Sequence, residues 1–532
     1  ALLALHLPVA HADTVIVNTT TDDNVDNTLC SLREAIEYFN LDKNLIEDPE
    51  GTTTTAARYQ GCLRDGAASD AHLIKLPKQE QPYRITLASG GEIRVKRSLV
   101  IDGGSDDDRE YSVIEVSGGS HRAFRVDDPD TPRDAWLDEP PHPLAGAPVL
   151  ATGSDTGGSN ADRYTTRQNP VVTGSGATPG HIINVYVRPK DGAAALRGWS
   201  TVTNDGVWQV EISALAPGLY EVFFTSRALA DDPEGPNSPV LRVQIYSPRP
   251  EVEFTLREIE LVGAGSALCT GLGAISDGGI VYTNEALILT NVTLRNGCAS
   301  VRGGAVFAGP EGSITANGMR LTENRAPQGG AFFLERNAVI IEQSLVTSNR
   351  STGVDSSIIH VASSDGGMGI GASVISNTTI SANPEGFALS LRLNAVVNAA
   401  TIVENPSGGL RFNNESVRVF NTILAGNGTS DCVGLPATPN VKDNLFVTEA
   451  VGGCPSADNQ VISNQPGTSQ QLMATTIGGR CAGEFGLLCP LAKRGEANLE
   501  FHLPRVLPSY TNIADSPLIN RGGITALIGS VQ

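Results

Sequence analysis

Two stretches of the chain gather carboxylates closely enough to hold a cation. "DGGSDDD" sets Asp102, Asp106, Asp107 and Asp108 in a glycine-rich loop, and clustered oxygen ligands of this kind suit Ca²⁺. The stretch lacks the Gly-x5-Glu ending of an EF-hand loop, so a Ca²⁺ site here is of another type, and a solvated turn is the alternative. "TTDDNVD", with Asp22, Asp23 and Asp26, repeats the pattern more weakly. His360 stands in "SSIIHVASSDGG", near Asp365. Acid–base work is conceivable there; an ordinary solvent-facing histidine is the other reading. The remaining charges of this region, Arg295, Arg320, Glu323, Glu335, Arg336, Glu342, Arg392, Glu404, Arg411 and Arg418, read as scattered rather than aligned. There is no G-x-S-x-G or H-E-x-x-H motif, and "GAGSALC" at Gly263 is not followed by an amphipathic helix, so it is no dinucleotide fingerprint.

The elements that would position such groups follow from composition and pattern. Of 532 residues, 57 are Gly and 31 Pro, too many for a helical protein and too irregular for collagen. The formal charge of -20 argues against nucleic acid as a partner and favours cations. The eight cysteines, at 30, 62, 269, 298, 432, 454, 481 and 489, form no CxxC pair and no zinc-finger spacing. Pairing of sequence neighbours, 30–62, 269–298, 432–454 and 481–489, is expected, with buried thiols as the alternative. Residues 1–12, "ALLALHLPVAHA", read as the tail of a secretory signal peptide. No later stretch is apolar for long enough to cross a membrane. A secreted or cell-surface location is therefore expected, with no transmembrane segment.

A repeated pattern dominates the second half: "LILTNVTLRNG", "ITANGMRLTENRA", "VIIEQSLVTSNRS", "SVISNTTISANPEG", "AVVNAATIVENPSGG" and "VRVFNTILAGNG". Each is a short strand, a polar break, another short strand and a closing asparagine, at Asn296, Asn324, Asn349, Asn383, Asn405 and Asn427. Glycine pairs such as 303–304, 329–330, 366–367 and 408–409 follow at corners. The pattern predicts an all-β chain, a right-handed parallel β-helix whose asparagines share one corner and form a ladder of amide bonds. Its first coils are expected in 13–126 and its main body with C-terminal coils in 251–532. Residues 127–170, rich in Pro, Asp and Gly, read as a loop or linker. Residues 171–246 alternate like antiparallel strands and supply Trp199, Trp208, Tyr220, Phe223 and Phe224 for a separate core. An inserted immunoglobulin-like β-sandwich is predicted there.

An open end of a β-helix exposes an apolar cross-section and needs a lid. "NTLCSLREAIEYFN" provides one: Leu29, Leu32, Ala35, Ile36 and Phe39 fall on a single helical stripe, with Thr28 or Ser31 as N-cap and Ser31 with Glu34 as a capping box. Arg33 and Glu34 are adjacent and do not face each other, so they read as fixing the lid rather than as a catalytic pair. "CSLREAI", Cys30 to Ile36, resembles the signature of the CSLREA-domain family of bacterial secreted and surface proteins. "DSPLINRG", Asp515 to Gly522, resembles the closing motif of such proteins, with Leu-Ile-Asn where Ala-Ile-Asp is usual. The resemblance implies a right-handed parallel β-helix of the pectate-lyase type and carries no established chemistry.

Two functions of different kinds are compatible with these features. The first is a non-catalytic secreted or cell-surface scaffold, an adhesin or matrix component that binds polysaccharide or another surface protein. The second is a polysaccharide-active lyase or hydrolase working in a groove of the β-helix, a reading that rests on fold analogy.

Overall fold

A computed structural model describes most of residues 13–434. The longest stretches left out are 42–57, 66–71, 105–110, 128–134, 139–145, 156–162, 246–251 and 363–371; scattered residues are described between 435 and 501, and 1–12 and 502–532 are not described. The expectations for the signal-like segment 1–12, for Asp106, Asp107, Asp108 and Asp365, for Gly366 and Gly367, for Cys454 and Cys489, and for the closing motif at 515–522 therefore lie outside the described residues.

Among the described residues the fold is all-β, 49% strand and 4% helix. It divides into two compact units, one formed by 1–127 with 251–532 and the other by 128–250. In the first unit the chain visits three large sheets in turn. Ala286–Thr290 lies in the first sheet, Thr293–Arg295 in the second and Val306–Ala308 in the third. The chain then returns to the first sheet with Ser313–Asn317, and each strand pairs in parallel register with the one from the previous pass. The same order continues through Val339–Glu342, Leu345–Thr347 and Ser357–Val361. Strands on either side of the second unit pair directly: Leu99–Asp102 with Glu253–Arg257, Ser112–Val116 with Ile259–Val262, and Phe124–Val126 with Val281–Thr283.

Short strands suffice because each contributes one or two inward side chains to a shared core. Leu287 and Leu289, Ile314 and Ala316, Val339 and Ile341, and Val397 and Val419 are all buried in one cluster that extends from Val15 to Cys432. Between strands the backbone must reverse tightly. Two columns of left-handed residues do this: Glu258, Asn291, Gln343, Asn377, Ala399 and Asn421 at one turn, and Asn296, Glu323, Ser348, Ala382 and Glu404 at the other. The glycine corners serve a second purpose. Gly303 and Gly329 take φ of 65° and 60°, and a Cβ on Gly304 would lie 2.0 Å from the carbonyl oxygen of Gly330, so the passes approach too closely there for any side chain.

The helix α1, Leu32–Asn40, begins at Ser31 with both halves of the capping box present. Leu32, Ala35, Ile36 and Phe39 join the main core. Leu29 does not: it precedes the first helical turn and is 46% exposed, which corrects the predicted stripe by one position at its start. Cys30 bonds to Cys62 and Cys269 to Cys298. Cys432 is also disulfide-bonded.

The second unit holds a three-stranded sheet, Val149–Leu150, Val171–Gly174 and Trp208–Glu211, and a five-stranded sheet ordered Tyr164–Thr165, Leu241–Ile245, Gly218–Arg227, Ile182–Pro189 and Ala195–Thr201. Trp208, Tyr220, Val185, Val222 and Val243 form its core, with Phe224 packed against it. Trp199 is not a core residue but is 65% exposed. It stands on the edge strand opposite Asn184, whose neighbours Ile183 and Val185 are the ones that face the core.

Candidate functional site

The site is built on the asparagine column. Asn324, Asn349, Asn383, Asn405 and Asn427 are fully buried. Each of the first four donates its side-chain amide to the next side-chain oxygen, at 2.9, 3.2, 2.9 and 2.8 Å. That same oxygen accepts the backbone N–H of the preceding asparagine. Asp431 ends the ladder by accepting both Asn427 donors, at 2.9 and 3.0 Å. Every buried polar group in the row therefore has a partner, which is the condition for placing amides in a core.

Asn296 is not a member of the ladder. It occupies the left-handed position, φ 56°, that Glu323, Ser348, Ala382 and Glu404 take in later passes. The ladder position in that pass is Gly297, whose N–H donates to Asn324 Oδ1 at 2.9 Å. The closing asparagine is thus shifted by one residue there, because the left-handed turn accepts asparagine as readily as the ladder does.

Directly after the ladder the backbone emerges. Arg325–Ala326 pairs in parallel with Arg350–Ser351, and Arg350 bridges to Glu385 on the next pass. These three residues form a row by strand register, and none of them is among the charges singled out from the sequence. A signal was present: "ENRA" and "SNRS" place an arginine immediately after successive ladder asparagines. Arg350 Nη1 lies 3.5 Å from Glu385 Oε1, with the two side chains 53% and 45% exposed.

The row divides two open depressions. One, of about 580 Å³, is lined by Asn296, Glu323, Arg325, Ser348, Arg350 and Pro384 among others. The second, of about 360 Å³, starts at the next residues of the same strands and is lined by Ser351, Ser356, Glu385, Phe387, Ser407 and Arg411. Arg411 places its guanidinium 4.1 Å from the centre of the Phe387 ring, a cation–π contact.

The third sheet carries a neighbouring file of rings. Tyr282, Phe307, Phe333 and His360 occupy equivalent positions on successive strands and stack at 5.3, 5.8 and 4.9 Å. Arg125 lies over Tyr282 at one end, and Arg302, paired with Asp277, lies over Phe307. His360 is therefore not a solvent-facing residue but a buried member of this stack, with Nδ1 3.1 Å from Ser357 Oγ. Burial, followed by the positive charges of Arg392 and Arg411, pushes its pKa down to about 4. A neutral, buried imidazole of this kind is a packing group.

The carboxylates singled out from sequence fall elsewhere. Asp102 accepts the N–H of Gly104 at 3.1 Å and an Arg257 guanidinium N–H at 3.1 Å. Asp22 takes Arg33 Nε at 2.8 Å and the N–H of Ala88 at 3.1 Å. Both are engaged by protein donors, and among the described residues no group of three or more His, Cys, Asp or Glu side chains converges as metal ligands would. No described helix is long and apolar enough to cross a membrane.

Against known proteins, residues 144–234 match the family model of a bacterial Ig-like domain. No CSLREA or pectate-lyase-type family model matches the chain. No curated protein and no solved structure matches it.

Proposed function

We propose that the three parallel sheets are the faces of a right-handed parallel β-helix, closed at its start by α1 and interrupted by an inserted immunoglobulin-like sandwich. The protein is then a non-catalytic secreted or bacterial cell-surface scaffold that binds polysaccharide or another surface protein. Support for the architecture comes from the cyclic visiting order of strands, the "CSLREAI" resemblance and the registers that continue across the second unit. The Ig-like match and the disulfides suit an extracellular location.

The observation that carries the binding reading is the pair of open depressions beside the buried ladder, lined by polar and apolar groups. Paired strands hold the backbone of the groove in fixed register, which lowers the ordering cost of binding an extended partner. A polysaccharide-active enzyme is the second reading, because Glu323 and Glu385 each line one depression, with arginines between them. The deciding experiment incubates the purified protein with uronate and neutral polysaccharides and reads binding, ultraviolet unsaturation and reducing ends together. Binding with neither chemical signal is expected. New unsaturation or new reducing ends would establish the enzyme instead.

A further inference from the structure

We infer that the outer face of the five-stranded sheet in the second unit is a sugar-stacking site, with Trp199 as its platform and a neutral pyranose chain as its ligand; this rests on the polysaccharide class of the binding reading above and places it at a second site. Gly198, on the edge strand Ala195–Thr201, pairs with Val185 and faces the core, where a Cβ would lie 2.5 Å from Val210 Cγ1. Glycine lets the edge strand close down on Trp208–Glu211, and the next side chain, Trp199, is thereby turned to the opposite face. The fold does not use that ring: Trp208 is buried in the core, whereas Trp199 is 65% exposed. Leu196, paired with Tyr186 on the same outer face, is 51% exposed.

The floor beside the ring is fixed by hydrogen bonds. Asn184, opposite Trp199, donates to Glu234 Oε1 at 2.6 Å, and the hydroxyls of Tyr186 and Thr225 donate to the same carboxylate, both at 2.8 Å. The Tyr186 ring stacks on Phe223, with 5.6 Å between centres. Size and charge then select the ligand. Trp199 and Leu196 together offer exposed apolar area of the order of 250 Å², far below the roughly 800 Å² per partner of a stable protein interface and suited to a short run of sugar rings. An added β-strand is disfavoured as well. The bulge between Val185 and Tyr186 makes Arg197 an extra residue, and its carbonyl already accepts the Ser213 N–H at 2.9 Å. Carboxylates on this face are engaged within the unit, Glu221 by Arg188 and Arg242 and Glu234 by its three donors. A pyranose ring presents C–H groups to an aromatic plane and hydroxyls around its rim, which matches a flat indole bordered by polar side chains.

The test follows the intrinsic tryptophan emission of the full chain in titrations with a cello-oligosaccharide, a malto-oligosaccharide and an oligogalacturonate of equal length. Of the three tryptophans, Trp136 and Trp208 are buried, so a change at Trp199 reports this face. A neutral oligosaccharide is expected to blue-shift the emission and to bind Trp199→Ala at least tenfold more weakly, with an unchanged melting temperature. Trp199→Phe keeps a ring, so it should bind with intermediate affinity and guards against a folding defect in the alanine variant. Arg350→Ala, in the other unit, should give the wild-type shift. Neutral sugars that bind with no change in emission, and equally well to Trp199→Ala, overturn this site and leave the polysaccharide reading standing. Tighter binding of the oligogalacturonate, lost in Arg197→Ala, overturns the neutral ligand. A change of oligomeric state in Trp199→Ala on size-exclusion chromatography makes the face a contact between copies and also overturns the site. No binding of any sugar removes both this site and the polysaccharide reading.

Discussion

Arg33 meets Asp22 at 2.8 Å beside α1, where the carboxylate side chain is 2% exposed and the arginine 13%. Arg350 meets Glu385 at 3.5 Å in the groove, where both side chains are about half exposed. The chemistry is the same, but only the first pair is surrounded by fixed partners. Arg33 also donates to the carbonyl of Gly91 at 2.8 Å, and Asp22 accepts from Ala88. Next to them, the buried carboxylate of Glu34 accepts the N–H groups of Val25 and Ser31, both at 2.9 Å. Charges at the start of the chain join α1 to the strand edge. In the groove, Arg350 and Glu385 meet with about half of each side chain exposed to water. Position in the fold, not residue type, separates a buried ion pair with fixed partners from an exposed one.

The largest expected effect tests the first half of that contrast. Arg33→Ala strands Asp22 as a buried charge and should cost about 3–5 kcal/mol of stability by denaturant titration. A loss as small as that of a surface pair would show that the helix is not tied to the strands in this way. Asn383→Ala comes next. It removes the acceptor for the Asn349 N–H and the donors to Val346, Ser381 and Asn405. Unpaired buried groups cost about 1–3 kcal/mol each, so a loss of about 3 kcal/mol is expected. Hydrogen exchange should quicken first in the passes on either side; unchanged protection of the Asn349 amide would rule out the ladder as a source of stability.

His360 adds a pH dependence of comparable size, about 3 kcal/mol when fully developed. Its folded pKa of about 4 lies below the ordinary value of 6.5. Between these values the unfolded chain binds a proton that the folded chain refuses, so stability falls as pH drops from about 6.5 towards 4. His360→Phe keeps the ring stack and removes the titration. Its melting temperature should fall less than that of the wild type across that window; parallel curves would mean that the imidazole does not titrate against the fold. Arg350→Ala should have the smallest effect on stability, below about 0.5 kcal/mol, as is usual for exposed pairs. A cost comparable to that of Arg33→Ala would erase the difference between the two regions.

Much of the local structure is legible in the sequence. Ser31 and Glu34 are three residues apart, the spacing that brings a cap side chain and its partner together, and both halves of the box are formed. Strand positions followed from period-two alternation, and the pairings 30–62 and 269–298 from chain proximity. Five of the six closing asparagines occupy the ladder, since each ends a short strand at the same point of its pass. The groove was harder to read. Its row joins Arg325, Arg350 and Glu385, which insertions of different length separate in sequence, and only strand register brings them side by side.

What the sequence determined by itself is therefore what depends on near neighbours: strand alternation, the capping box of α1, glycine corners and the repeated asparagines. These arise from backbone geometry and hydrogen bonds within a few residues. Tertiary structure alone decided that Asn296 turns the backbone while Gly297 holds its place beside the ladder, and that Trp199 stays in solvent on an edge strand. It also decided that His360 is sealed into a ring stack and that two arginines stand one strand apart. Each of those outcomes depends on which residue lies on the adjacent strand, and a sequence contains that information only through the register that folding selects.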